Sequence, residues 1–141
     1  MQQMRFRCPT ARVVGTGEIE GYELLFKGSR SGSYLTIEPK EGSKVPVAVW
    51  EVQVRDEMAL DRYEGFPTFY YKKDMRIKVK GIKTGFESVK DTFVYIMHED
   101  RSLGIPSWRY VETCIEGYKR FGFDESLLME AIRKSRRELG I

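Results

Sequence analysis

The residues best placed to do chemistry lie in Leu60-Asp61-Arg62-Tyr63-Glu64-Gly65-Phe66-Pro67-Thr68-Phe69-Tyr70. This stretch sets one carboxylate, Glu64, at the end of a short helical pattern. Gly65 and Pro67 stop the helix, and a strongly alternating segment follows. A carboxylate fixed at such a junction is flanked here by Tyr63, Phe66, Phe69 and Tyr70. Burial among those rings raises a carboxyl pKa toward the range useful for general acid and base work.

Other constellations fall away. Gly15-Thr16-Gly17-Glu18-Ile19-Glu20-Gly21 misses the dinucleotide fingerprint by one residue before the third glycine, and it leads into a strand rather than a helix. No phosphate-binding loop of the G-x-x-x-x-G-K type is present. His98 is the one histidine and reads as an exposed loop residue beside Glu99 and Asp100, so no Ser-His-Asp arrangement is available. Two cysteines and one histidine are too few for a structural zinc site or a disulfide framework. Cys8 and Cys114 are expected free and partly buried, with no metal.

The elements that must carry Glu64 can be read from periodicity. Gln2 to Cys8 reads as the tail of a short helix stopped by Pro9. Glu18 to Phe26 and Ser33 to Glu38 are strand-like, joined by a turn through Lys27 to Gly32. Val45 to Val54 reads as a central strand, apolar on both faces in its first half. Asp56 is expected to cap a helix running to about Tyr63. Tyr70 to Val79 alternates, with Tyr71, Met75, Ile77 and Val79 on one face and Lys72, Asp74, Arg76 and Lys78 on the other. Thr92 to Met97 reads as a further strand apolar on both faces.

Two helices close the chain. One follows Pro106-Ser107 and ends at Gly122; the next is capped by Asp124 and runs to about Leu139. Trp50 and Trp108 fall on core-facing patterns and read as packing residues. Strands first and helices last argue an α+β domain with a strongly bent or barrel-like sheet.

At 141 residues, with 41% hydrophobic and 32% charged residues, the chain reads as one globular domain. Its apolar runs are far shorter than the roughly 18 residues a membrane span needs. No signal peptide is legible, so a cytoplasmic location with no membrane partner is expected. The net charge of +3 is mild. Arg133, Lys134, Arg136 and Arg137 fall opposite Leu128, Ala131, Ile132 and Leu139, which makes them a solvated helix face rather than a nucleic-acid site.

Several blocks in order resemble γ-glutamylcyclotransferase-like (AIG2-like) proteins. They are Met4-x-x-Arg7-Cys8-Pro9-x-Ala11, Gly21-Tyr22-x-Leu24-x-Phe26, Thr36-Ile37 with Gly42-Ser43-x-Val45, and Val49-Trp50-Glu51-Val52. Leu60-Asp61-x-x-Glu64-Gly65-x-Pro67-x-x-Tyr70, Val94-Tyr95-Ile96-Met97 and Pro106-Ser107-x-x-Tyr110 continue the series. The resemblance implies a small mixed β-barrel or curved sheet with helices packed against it.

It also implies conversion of a γ-glutamyl amine or peptide to 5-oxoproline and a free amine. Glu64 is then the general acid and base, Tyr22, Tyr70 and Gly65 are substrate-binding residues, and no cofactor is required. The family's Tyr-Gly-Ser-Asn run, which ends its first strand, is absent. The resemblance therefore implies a domain lacking its first strand, through either a late start or loss of the cyclotransferase site. In a chain of these residues alone, the unpaired edges would favour a homodimer with little turnover. Two non-catalytic readings stay open beside the enzyme: a small-metabolite binder and a partner-binding protein that uses an exposed strand edge.

Overall fold

A computed structural model of the chain describes residues 8–29 and 32–141. Five strands and three helices are formed among them: β1 (Arg12–Ser29), β2 (Gly32–Glu51), α1 (Val54–Glu64), β3 (Tyr70–Gly81), β4 (Glu87–Met97), β5 (Ser102–Leu103), α2 (Trp108–Phe121) and α3 (Ser126–Leu139). The strands form one sheet in the order β2-β1-β3-β4, with β5 also paired to β1. This is the α+β class that the order of strands and helices predicts. The segments read as strands over Val45–Val54, Tyr70–Val79 and Thr92–Met97 fall in β2, β3 and β4 of that sheet, but β2 stands at one end of the order and not at its centre.

Contacts divide the described residues into two units. The first holds the described residues through Ile19 with Pro46–Ile96, and the second holds Glu20–Val45 with Met97–Ile141.

In the first unit, β1 and β3 run antiparallel with Gly15 opposite Gly81, Thr16 opposite Lys80 and Gly17 opposite Val79. A Cβ on Gly15 would lie 2.1 Å from the Lys80 carbonyl oxygen, and one on Gly17 would lie 2.5 Å from that of Lys78. Those glycines, the near miss to a nucleotide loop, are strand residues that let two backbones approach closely. The alternation expected of β3 holds over its middle, where Met75, Ile77 and Val79 are more covered than Asp74, Arg76 and Lys78.

In the second unit, α2 and α3 pack over a core of Phe26, Tyr118, Leu128 and Ala131. The Ser107 hydroxyl accepts from the Tyr110 N–H to start α2, and Gly122 ends it in the left-handed region. The chain then enters α3, which packs against α2 and β5. Three basic residues of α3 form ion pairs, two of them along the helix and one to β1. Arg133 and Arg137 pair with Glu130, and Lys134 pairs with Glu23.

Several sequence expectations need correction. Ser33 to Glu38 and Val45 onward are not two strands but one, because the chain bends at Gly42 (φ 83°) without leaving the sheet. That strand stops at Glu51, and Val54 already belongs to α1. Gln53, not Asp56, is the N-cap of α1. Asp56 is its reciprocal partner in a capping box, accepting from the Gln53 N–H at 3.1 Å and also from the Thr10 hydroxyl. Asp124 does accept from the Ser126 N–H at 3.0 Å, although the N-cap of α3 is Glu125.

Trp108 is not a core residue. It stands at the first position of α2 with 63% of its surface exposed, because Val111 and Tyr118 already fill the buried face of that helix. Trp50 and the loop residue His98 are half-buried. Cys8 is buried and Cys114 half-buried, both as free thiols. The helix tail expected over Gln2 to Arg7 lies outside the described residues. No helix among the described residues is long and apolar enough to cross a membrane.

Candidate active site

The site is built on the first unit, from the end of α1 and the start of β3. Helix α1 ends in a Schellman turn. The Gly65 N–H donates to the Arg62 carbonyl at 3.3 Å, and the Phe66 N–H donates to the Asp61 carbonyl at 2.9 Å. Gly65 takes φ 66°, where only a residue without a Cβ sits free of strain. The Phe66–Pro67 peptide is cis. The Phe69 N–H returns to the Gly65 carbonyl at 2.8 Å, which closes the turn before β3 begins at Tyr70.

Glu64 is the last residue of α1 and is half-buried. Tyr70 is buried, its ring 5.2 Å from that of Phe69. Glu64 and Gly65 thus stand at the end of α1 and Tyr70 at the first position of β3, five residues beyond Gly65. Tyr63 and Phe66 are more exposed than their place in an aromatic neighbourhood suggests. Tyr22 lies on β1 in the second unit, half-buried.

One cluster escaped the sequence reading. The Lys72 ammonium donates to Glu57 at 2.6 Å and to Asp61, which it approaches to 3.0 Å. The Tyr95 hydroxyl donates to Asp61 Oδ1 at 2.5 Å, the oxygen that Lys72 approaches to 3.0 Å, while the Lys72 hydrogen bond to Oδ2 measures 3.2 Å. Lys72 also lies 4.6 Å from the centre of the Phe66 ring and 5.5 Å from that of Phe93, a cation over aromatic faces. Lys72 was expected on the solvent face of β3, and Tyr95 was one letter in an apolar run. The available signal was Glu57, Asp61 and Glu64 at i, i+4 and i+7, which puts three carboxylates on one stripe of a helix.

Electrostatics in the cluster follow from these contacts. Desolvation pushes the Asp61 carboxyl upward, but the hydrogen bonds from Tyr95 and Lys72 outweigh it and hold it below its ordinary 3.8. The Glu57 bond leads in raising Lys72 above 10.5, against desolvation. Tyr95 is driven well above its ordinary value, first by desolvation and then by its bond to Asp61. The charges of Asp61, Glu57 and Glu64 push it further, so Glu64 lies close enough to be felt at the phenol. At neutral pH the cluster holds the neutral Tyr95 phenol beside the Lys72 ammonium and the Asp61 carboxylate. Among the described residues, no group of three or more His, Cys, Asp or Glu side chains is placed to hold a metal ion.

One five-stranded sheet with three helices defines an α+β protein. The family described as γ-glutamyl cyclotransferase, AIG2-like, matches over residues 1–112, and the chain belongs to that family. A solved structure of a γ-glutamyl cyclotransferase superposes with a TM-score of 0.73 at 20% identity, over 96% of this chain and 79% of that one. An uncharacterized protein from Homo sapiens superposes with a TM-score of 0.69 at 22% identity, with the same coverage of both chains. No curated protein matches the sequence.

Proposed function

We propose that the protein converts a γ-glutamyl amine or peptide to 5-oxoproline and the free amine, with Glu64 as general base and then general acid. The observation that carries this reading is the placement of Glu64. It is a half-buried carboxylate at a Schellman-terminated helix end, six residues before the buried Tyr70, in a chain of the cyclotransferase family.

The Glu64 carboxylate takes a proton from the substrate's α-ammonium. The freed amine attacks its own γ-carbonyl carbon, closing a five-membered ring through a tetrahedral intermediate. Glu64 returns the proton to the departing nitrogen as the old C–N bond breaks, and the ring nitrogen's second proton passes by the same carboxylate to the released amine, which leaves as an ammonium. Because nucleophile and electrophile belong to one molecule, proximity supplies much of the acceleration, and a single proton-carrying group completes the cycle.

Tyr70, buried at the start of β3 in the same unit as Glu64, is assigned to substrate binding. Gly65 contributes the turn rather than a donor, since its N–H is taken by the Arg62 carbonyl. No cofactor is needed, because every bond made or broken belongs to the substrate.

The test is 5-oxoproline release from a panel of γ-glutamyl amines and dipeptides by the full-length natural protein and its Glu64→Gln variant. Loss of general acid and base action lowers turnover by roughly 10²- to 10⁴-fold. The circular dichroism spectrum should stay unchanged. Undiminished turnover by the variant, or none by the wild type on any member of the panel, overturns the reading.

A further inference from the structure

Helix α1 buries only one residue fully, and that residue is Asp56. Of its apolar side chains Val54, Met58 and Tyr63 are exposed, while Ala59 and Leu60 are half-buried. Polar contacts hold both of its ends, through Asp56 at the first turn and Asp61 at the last. Asp61 has two roles at once. Its carbonyl accepts the Phe66 N–H that closes the Schellman turn, and its carboxylate is held by Tyr95 from β4 and Lys72 from β3. Lys72 in turn reaches Phe66, the second residue after Glu64, so one ammonium holds the chain on both sides of that carboxylate.

We propose that Asp61, held by Tyr95 and Lys72, is the positioning residue for Glu64, fixing the last turn of α1 so that the carboxylate is presented in one orientation. This rests on the reading of Glu64 as the acid and base. A hydrophobic contact usually accompanies a Schellman turn, packing residues on either side of the cap together. Here a Phe66–Lys72–Asp61 bridge joins the same two sides of the cap. Such a bridge is directional where an apolar contact is not, because both the phenol and the ammonium must meet particular carboxylate oxygens. The charged groups around the Tyr95 hydroxyl are Glu57, Asp61 and Glu64 from α1 and Lys72 from β3.

The experiment compares Tyr95→Phe and Asp61→Asn with the full-length wild type by steady-state kinetics and by amide hydrogen exchange. Tyr95→Phe keeps the ring and removes only the donor to Asp61. Mispositioning of a catalytic group lowers kcat per folded molecule by roughly 10- to 100-fold while KM changes by less than about twofold. Asp61→Asn, which also removes a negative charge one turn from Glu64, should shift the acid limb of the kcat profile to lower pH, whereas Tyr95→Phe leaves that limb in place. In both variants the Gly65 and Phe66 amides should exchange at least about tenfold faster, with the β1–β3 amides unchanged.

Wild-type kcat in both variants together with unaltered Gly65 and Phe66 exchange overturns the proposal. A wild-type protein without turnover removes the acid/base reading of Glu64 but not the measurement. Exchange then decides whether Asp61 holds the turn: acceleration confined to Gly65 and Phe66 supports it, and no change refutes it.

Discussion

Replacing Gly65 with alanine separates two costs that the structure keeps distinct. A side chain at φ 66° pays the left-handed penalty, about 1–2 kcal/mol for an L-residue. Alanine recovers about 0.4–1 kcal/mol of that by stiffening the unfolded chain. Gly122, the C-cap of α2, has nearly the same φ of 71° and nothing within 4 Å of a Cβ built there. Gly122→Ala therefore isolates the backbone contribution, a net loss of about 0.5–1.5 kcal/mol.

At Gly65 the new methyl would meet the Phe69 Cβ at 3.1 Å. Phe69 cannot retreat easily, because its N–H is bonded to the Gly65 carbonyl and its ring packs on Tyr70. Overpacking of this kind adds about 1 kcal/mol, bringing Gly65→Ala to about 1.5–2.5 kcal/mol. Urea unfolding of the two variants against wild type measures both. Equal losses would show that the Phe69 contact relaxes freely, and a Gly65→Ala protein as stable as wild type would show that the left-handed cap is not formed. Turnover gives a second reading, since displacement of residue 65 moves its neighbour Glu64.

Three further outcomes follow from the packing and the charges. Leu128→Ala empties a fully buried position in the core under α2 and α3 and should cost about 2–5 kcal/mol in chemical denaturation. Ser107→Ala removes the acceptor for the Tyr110 N–H and should cost about 0.5–2 kcal/mol. Asp61 titrates below 3.8 in the folded chain, so its stabilisation is present above that pH and lost as the pH falls through the folded value. Lys72 and Tyr95 are raised above 10.5 and 10.0, so theirs is present below about pH 10 and lost as the pH rises beyond it. The stability gap between wild type and Asp61→Asn should therefore be widest near neutrality and narrow toward both extremes, as followed by unfolding at each pH.

Much of the architecture was legible because it is local. The alternation of β3, the Ser107 start and Gly122 stop of α2, and the helix end at Glu64-Gly65 all depend on neighbours in sequence. The unbroken length of β2 was not legible, because a positive-φ glycine such as Gly42 reads as a turn whether the chain reverses or only bends. The exposure of Trp108 was hidden for a different reason. Helical spacing identifies a stripe, but it does not say how far toward the first turn the stripe remains covered.

At the site, the carboxylate and its turn could be read from one segment, while the Asp61–Lys72–Tyr95 cluster could not. Those three residues come from α1, β3 and β4, and only the fold brings them together. The polar letters of β3 look alike in sequence, yet Lys72 is held by two carboxylates while Lys78 reaches Glu87 only at 3.9 Å.

The two free thiols fall one to each unit, and only the first is a built-in clock. Cys8 is wholly covered, and its sulfur donates to the Asp56 carbonyl at 3.6 Å, so a thiol reagent reaches it only when the first turn of α1 lets go. Desolvation pushes the Cys114 thiol up to about 11, against the pull of its Tyr110 bond, so at neutral pH almost none of it is the reactive thiolate. Label uptake at Cys8 therefore times the local opening of its unit with no foreign probe, while at the half-buried Cys114 it is the raised thiol that slows uptake.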